Sequence, residues 1–451
     1  MPIKKPRAKI TNNTYSLFKK AARCCPAYQD FLKKNKIDPN LIRKKDFVKI
    51  PLTDKNNYLY KYTLKEKILS NQEIADFYMV CTSSGSSDKP TIWLRDLLKD
   101  ESAEFAHSKF LNDNFNVFNR KTLIIISFGM GTATAGMMHA RLSWELSRKE
   151  KVTVITPDVD VEKTAWLIES LYKYYDQVIC IGYPPLIGKV IDNALKKRFS
   201  VKKWNLNIAF AGGSVSALWR KSIADKISKD RDLTKVVGFY GCSEAGILGF
   251  ETPQINKIIN YCIKDKKLRF ELFGSDNLPT IVELGIPGKF VEILNDELIL
   301  TIDQPVPLIR YNVYDKASFL NINKVKSILE KREIKLVNKT PQKHWLVVFG
   351  RKEKNIFSIE DIRNSLEITN LPWLIKDEFQ YKELKKRGKI ILSLRLYYKK
   401  DKSIRNQDRK KIEKILFQKL RKRSSSLELK LSIVNEKKKI GFQSGKLRYF
   451  L

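Results

Sequence analysis

The stretch Cys81-Thr-Ser-Ser-Gly-Ser-Ser-Asp-Lys-Pro-Thr91 concentrates hydroxyls, one glycine and one lysine between two apolar runs, Phe77-Tyr-Met-Val80 and Ile92-Trp93-Leu94. A strand, a small polar loop and a return strand is an arrangement suited to phosphate. Backbone N–H groups form an anion nest, hydroxyls add donors and lysine adds charge. The same composition also suits a polar hairpin turn, because Ser, Gly and Asp-Lys-Pro favour turns. It is not a Walker A loop, since Pro90 follows Lys89 where that motif has Ser or Thr entering a helix. Three further small-residue turns follow apolar runs directly: Phe128-Gly-Met-Gly131, Ala211-Gly-Gly-Ser214 and Gly241-Cys-Ser-Glu244.

These turns need strands behind them, and the pattern supplies them. Leu123-Ile-Ile-Ile-Ser-Phe, Val152-Thr-Val-Ile-Thr, Val178-Ile-Cys-Ile-Gly, Ile208-Ala-Phe-Ala-Gly and Val236-Val-Gly-Phe-Tyr-Gly alternate with helical segments such as 161–174 and 214–228. Continuous apolar strands separated by helices predict βαβ units and a largely parallel sheet. Ligands of such sheets bind at the carboxyl ends of strands, where all three turns fall. Residues 1–80 predict helices around 15–22 and 28–34, with Thr53 or Asp54 as a later N-cap. Over 270–320, Phe270-Glu-Leu-Phe, Lys289-Phe-Val-Glu-Ile-Leu and Glu297-Leu-Ile-Leu-Thr-Ile around Asn-Asp and Gly-Ser-Asp turns predict antiparallel strands. Beyond Arg351 the elements are a helix at 359–366, a strand at 390–398, a helix at 408–422 and a strand at 429–434, forming a small α+β unit.

Composition narrows the class. The chain has 451 residues, 43% of them hydrophobic, and a net charge of +37. That is enough for two or three cores. The charge invites acidic partners, but lysine is spread along the whole chain, which argues against a specific nucleic-acid site. The six cysteines (Cys24, Cys25, Cys81, Cys180, Cys242, Cys262) contain no Cys-x-x-Cys pair, and there are three histidines (His107, His139, His344). Neither a disulfide scaffold nor a zinc site is expected, and a reduced, cytoplasmic setting is. The most apolar stretch, 123–138, is interrupted by Gly129, Gly131 and Gly136, so no membrane span is expected.

Taken together, Ser83-Ser-Gly-Ser-Ser-Asp-Lys-Pro-Thr91, Phe239-Tyr-Gly-Cys-Ser-Glu-Ala-Gly246, Glu297-Leu-Ile-Leu-Thr, Pro307-Leu-Ile-Arg-Tyr-Asn-Val-Tyr-Asp315, Gly350-Arg351 and Gly445-Lys-Leu-Arg448 resemble, in order and spacing, the adenylate-forming acid ligases. The subgroup of phenylacetate–CoA ligase, coenzyme F390 synthetase and acyl-protein synthetases is the most similar, including at Cys25-Pro-Ala-Tyr-Gln-Asp-Phe-Leu-Lys-Lys and Ile50-Pro-Leu-Thr-Asp-Lys55. The resemblance spans the whole chain. It implies an α/β fold, with a large N-terminal adenylate-forming domain of mixed and parallel sheets and a small mobile C-terminal α+β domain. The helical part would cover 1–80, the core 81–350 and the small domain 351–451.

The resemblance also implies the chemistry: ATP- and Mg²⁺-dependent activation of an aryl or fatty acid as its adenylate, then acyl transfer to CoA or to a carrier-protein phosphopantetheine. Ser83, Ser84, Gly85, Ser86, Ser87 and Lys89 would cradle the β- and γ-phosphates. Tyr240 would stack on adenine beside Gly241, with Gly212 and Gly213 bordering the base. Ser243 would contact phosphate, Glu244 would hold Mg²⁺, and Asp315 would accept both ribose hydroxyls. Arg351 would contact ribose and α-phosphate at the hinge, and Lys446 would neutralise the α-phosphate and carboxylate. The acid would lie near Phe128, Gly129, Gly131, Gly182 and Tyr183. For residues 240–244 the plain alternative is a strand end leading into a helix capped by Ser243.

Four departures from the family pattern stand out. Asp88 replaces a glycine beside the polyphosphate, and Asn312-Val-Tyr314 replaces the usual Arg-Thr-Gly. The loop after Arg351 is shortened, and 246–270 holds only Cys262 where relatives can carry a Cys/His metal site. The shortened loop and the basic surface favour an acidic acyl carrier protein as thiol donor. Asp88 and the altered Asp315 motif leave open a family member that binds nucleotide or acid without ligase activity. The charge alone leaves open a basic nucleic-acid-binding protein.

Overall fold

The computed structural model describes residues 10–83, 90–334, 344–351, 362, 365–366, 374–386, 389–398, 406–421, 426–435, 442–443 and 446–447. In chain order the strands are β1 (Met79–Thr82), β2 (Ile92–Arg95), β3 (Thr122–Ser127), β4 (Val152–Ile155), β5 (Gln177–Gly182), β6 (Leu206–Phe210), β7 (Val236–Cys242), β8 (Gly246–Phe250), β9 (Thr280–Leu284), β10 (Lys289–Leu294), β11 (Glu297–Ile302), β12 (Leu308–Asn321), β13 (His344–Arg351), β14 (Leu374–Lys386), β15 (Lys389–Tyr398) and β16 (Leu427–Asn435).

Strands β3 to β13 form one sheet of 11 strands, in the order β10-β11-β12-β13-β9-β8-β7-β6-β5-β3-β4. From β4 across to β7 every neighbour is parallel. From β7 to β10 every neighbour is antiparallel. The sense therefore changes at β7, the strand that ends in Tyr240-Gly-Cys242.

The parallel half is apolar at successive positions because both of its faces are covered. Ile124 and Ile126 pack with helices Leu97–Phe115 and Thr134–Ser147. Leu123 and Ile125 pack with helices Val161–Leu171, Pro184–Lys196 and Ala217–Ile227 on the other face. The N-terminal helices Asn12–Cys24 and Pro26–Lys34 lie against the antiparallel half, where Phe18, Tyr28 and Phe31 share a core with Leu298, Leu300 and Tyr311. Asp54 rather than Thr53 caps the short helix Lys55–Leu59, through a reciprocal pair of bonds with Asn57.

The C-terminal region has its own sheet, β14-β15-β16, with β14–β15 antiparallel and β15–β16 parallel. It also has its own core, formed with Ile412, Leu416 and Leu420 of helix Asn406–Leu420. Of the helix expected at 359–366, Ile362, Ser365 and Leu366 are described and helical. Strand β14 had no counterpart in the sequence reading. Its lysines and glutamates mask a period of two in which Phe379 and Tyr381 are buried while Gln380 and Lys382 face outward.

Two expectations are corrected. Phe270-Glu-Leu-Phe273 is not a strand but the end of helix Lys266–Phe273. The Asp265 carboxylate caps its first turn, Leu268 and Leu272 bury one face, and Gly274 ends it at φ 64°. The segment after Ser243 does not start a helix. The chain returns as β8, with Cys242 opposite Gly246. Gly246 takes φ +64°, a conformation that glycine adopts without strain.

Candidate active site

The elements bring parts of two motifs together. β7 ends in Tyr240, whose hydroxyl donates to the carboxylate of Asp315 on β12, a pair 75 residues apart in sequence. Asp315 is also in register with Arg351 across β12 and β13. Tyr240, Asp315 and the backbone of Arg351 thus meet.

The β1–β2 hairpin is tied to the turn after β3: Thr82 N–H donates to the Thr132 carbonyl at 2.7 Å, and Thr134 Oγ1 donates to the Thr82 carbonyl at 3.1 Å. Ser83 closes the base of the hairpin loop, with its N–H on the Thr91 carbonyl at 2.9 Å and its Oγ accepting from Thr91 N–H at 2.9 Å. Ser84, Gly85, Ser86, Ser87 and Lys89 lie outside the described residues. Lys446 belongs to a two-residue strand, Lys446–Leu447, paired with Phe442–Gln443. The described residues do not include the side chains of Lys446 and Arg351.

Gly212 has φ +83°, and a Cβ on Gly213 would come within 3.2 Å of the Tyr183 ring. Gly182 packs β5 against β3, since a Cβ there would lie 2.4 Å from the Ser127 carbonyl oxygen. A cavity of about 70 Å³ opens between these turns, lined by Gly212, Gly241, Cys242 and Ser243 and by Phe128, Met138, His139 and Phe239 among others. Of the acid-pocket candidates, Phe128 lines it; Gly129, Gly131, Gly182 and Tyr183 are not among its lining residues.

Lys55, to which the motif reading gave no role, lies against the candidate residue Glu244. Its Nζ lies 3.4 Å from Glu244 Oε1, and the two side chains are only 16% and 10% exposed. The segment leading to it is clamped to β12. Thr53 N–H donates to the Arg310 carbonyl at 3.1 Å and Asn312 N–H to the Thr53 carbonyl at 2.8 Å. The buried Arg310 guanidinium reaches the Val48 and Ile50 carbonyls and Glu292 at 3.3 Å. Tyr314 hydroxyl donates to Asp54 at 2.5 Å, and Asn312 Oδ1 accepts from Tyr314 N–H at 2.7 Å. The altered Asn312-Val-Tyr314 centre of the motif is therefore used to hold the lysine-bearing segment. The signal was in the sequence as Ile50-Pro-Leu-Thr-Asp-Lys55, part of the resemblance but without a partner to suggest its purpose.

Glu244 fits a divalent ion that arrives with a nucleotide, because Mg²⁺ is commonly held by one carboxylate, substrate phosphates and water. Among the described residues no group of three or more His, Cys, Asp or Glu side chains comes together. Lys55→Met leaves Glu244 buried without its cation. It is expected to lower stability by about 1–3 kcal/mol, with more of the loss recovered by millimolar MgATP than by ATP with EDTA. Urea midpoints under the two conditions, beside wild type, check this, and equal recovery with and without Mg²⁺ removes Glu244 as the cation position.

Burial and the adjacent Asp315 carboxylate push the Tyr240 hydroxyl well above its usual range, so it stays a donor. Burial and the Glu244 carboxylate do the same to the Cys242 thiol, which disfavours a thiolate there. Lys289 donates to the Ile247 carbonyl, and burial, with Arg95 nearby, holds it down to about 7. Its folded value is below the unfolded one, so the unfolded chain binds the extra proton between pH 7 and 10. Stability relative to Lys289→Met should therefore rise with pH across that window, by at most about 1.4 kcal/mol per unit. A flat difference in chemical-denaturation midpoints between pH 7 and 10 contradicts it.

No family model and no curated protein matches the sequence. Solved structures do match. 2-Hydroxyisobutyryl-CoA ligase in the postadenylation state, in complex with 2-HIB-AMP, superposes with a TM-score of 0.66 at 11% identity, over 97% of this chain and 88% of that one. The GH3.15 acyl acid amido synthetase gives 0.58 at 11% identity, over 98% and 91%. The McyG A-PCP complexed with phenylalanyl-adenylate gives 0.51 at 12% identity, over 84% and 66%. With the parallel-to-antiparallel sheet and the separate C-terminal sheet, these matches show that the chain has the fold of the adenylate-forming ligases.

Proposed function

We propose that this protein is an ATP-dependent acid–thiol ligase. A carboxylate oxygen of the acid attacks the α-phosphorus of ATP, the bond to the bridging oxygen breaks, and pyrophosphate leaves with that electron pair. A thiolate then attacks the acyl carbonyl and AMP departs with its phosphate oxygen. The observation that carries this reading is the bond from Tyr240, on the strand where the sheet changes sense, to Asp315 on β12. It joins two motif residues from distant strands, β7 and β12.

In this reading Asp315 accepts the ribose hydroxyls, Tyr240 stacks on the base, and Gly212 and Gly213 let the backbone approach it. Ser243 and the 83–91 loop face the phosphates, Arg351 bridges ribose and α-phosphate, and Lys446 neutralises charge during adenylation. Positioning and charge neutralisation are the larger part of catalysis in such phosphoryl chemistry. Mg²⁺, when bound at Glu244, would offset polyphosphate charge. The acceptor is CoA or the phosphopantetheine of an acidic carrier protein, to which the +37 charge is complementary. The proposal includes residues 351–451 as a mobile small domain and a cytoplasmic setting. Among the described residues no helix is long and apolar enough to cross a membrane.

The Lys55–Glu244 ion pair favours a second reading, a nucleotide- or acid-binding protein that does not complete adenylation. Pyrophosphate release from MgATP across short aliphatic, fatty and aryl acids separates the two. Release with one acid class supports the ligase. ATP binding without release under any acid supports the second reading.

A further inference from the structure

The cavity beside the motif turns is lined mainly by apolar side chains, with the Thr134 and Ser243 hydroxyls, the Cys242 thiol and one imidazole among them. His139 on helix Thr134–Ser147 lines it and is 2% exposed, and its Nδ1 has no hydrogen-bond partner. Phe128 stacks on it with ring centroids 5.7 Å apart, and Phe239 lies at 4.5 Å. The ring against it is His107, at 5.2 Å. His107 is fully buried, and neither of its nitrogens has a partner. A buried polar group left unpaired costs about 1–3 kcal/mol, and native interiors leave few. One imidazole at the wall of the cavity, His139, with the unpaired His107 ring packed against it, therefore points to a ligand that supplies the missing bond to His139.

What kind of group that is follows from charge and size. Burial holds both imidazoles neutral, His107 down to about 3, and a neutral imidazole both donates and accepts. No lysine, arginine or carboxylate is among the described lining residues, so against these a second carboxylate or an ammonium on the ligand would be unpaired and strongly disfavoured. A volume of about 70 Å³ is roughly half that of an engineered cavity that takes benzene, about 150 Å³.

Resting on the ligase reading, we propose that the acid is a short-chain monocarboxylate bearing an uncharged hydroxyl or oxo group, and that His139 hydrogen-bonds that group. A site built to bond a substrate hydroxyl rejects the analogue lacking it far better than an apolar slot separates homologues.

The test compares acids in which a hydroxyl replaces a methyl at nearly constant volume: lactate against isobutyrate, and 3-hydroxybutyrate against 3-methylbutyrate. For the better pair, kcat/KM for pyrophosphate release is expected to favour the hydroxy acid by on the order of 100-fold. His139→Leu should reduce that ratio at least ten-fold, and His139→Gln should restore part of it. Preference for the methyl acid in both pairs, or a ratio unmoved by His139→Leu, overturns the proposal and leaves His139 as core packing. If no acid releases pyrophosphate, the ligase reading falls. Equilibrium binding of the same pairs to the ATP-loaded protein then decides the inference separately: a hydroxyl preference lost in His139→Leu sustains it, and equal binding overturns it.

Discussion

Asp315→Ala is expected to lower kcat/KM for acid-dependent pyrophosphate release by about 10- to 100-fold, the size of a hydrogen bond to a charged group. The carboxylate is assigned the ribose hydroxyls, and it also fixes Tyr240 through the tyrosine hydroxyl. Two readouts separate these roles. With 2′,3′-dideoxy-ATP the penalty of Asp315→Ala should largely vanish, because the interaction is already missing from the wild type. Tyr240→Phe should cost less than Asp315→Ala, and the double variant should cost less than the two singles summed, since both remove the same bond. An undiminished penalty with the dideoxy nucleotide takes the ribose from Asp315. Full additivity means that the tyrosine hydroxyl is not orienting it.

The largest stability effect is expected one strand away. Glu251 is fully buried and accepts two bonds from Arg220, one of them at 3.0 Å, and one from Gly238 N–H at 2.7 Å. A Cβ on Gly238 would lie 2.6 Å from the same carboxylate, so β7 carries glycine there to let it approach. Arg220 also donates to the Val236 carbonyl at 3.0 Å, which pins the start of β7 to helix Ala217–Ile227. Removing one member of a buried pair leaves an uncompensated charge and costs about 3–5 kcal/mol. Glu251→Ala should show that loss in urea denaturation. Replacing both partners, as Arg220→Met with Glu251→Leu, should recover a substantial part of it. A single variant within 1 kcal/mol of wild type would mean the pair is not closed in solution.

Much of the fold was readable because the parallel strands are buried on both faces. Leu123 to Ile126 and Val178 to Ile181 are unbroken apolar runs for that reason. The failures come from segments that carry a weaker version of the same signal. Phe270-Glu-Leu-Phe has two exposed and two packed positions, and only the Asp265 cap and Gly274 stop distinguish a short helix from a strand. In β14 the charged residues on the open face hide the alternation of Phe379 and Tyr381.

At the candidate site, motif order singled out Tyr240 and Asp315, which the structure brings into contact. It did not single out Lys55 or His139. Lys55 matters because the Arg310 and Tyr314 clamps carry it to Glu244, a contact that no local spacing encodes. His139 sits on a helix whose apolar neighbours make it look like a core residue. Only the cavity and its unpartnered nitrogen set it apart.

The most direct test of adenylation is isotope exchange from labelled pyrophosphate into ATP with the acid present and no thiol acceptor, run beside Lys446→Ala. Reversible acyl-adenylate formation predicts exchange that requires the acid and Mg²⁺ and falls by at least about 100-fold in the variant. Absence of exchange with every acid, in a protein that still binds ATP, contradicts the account.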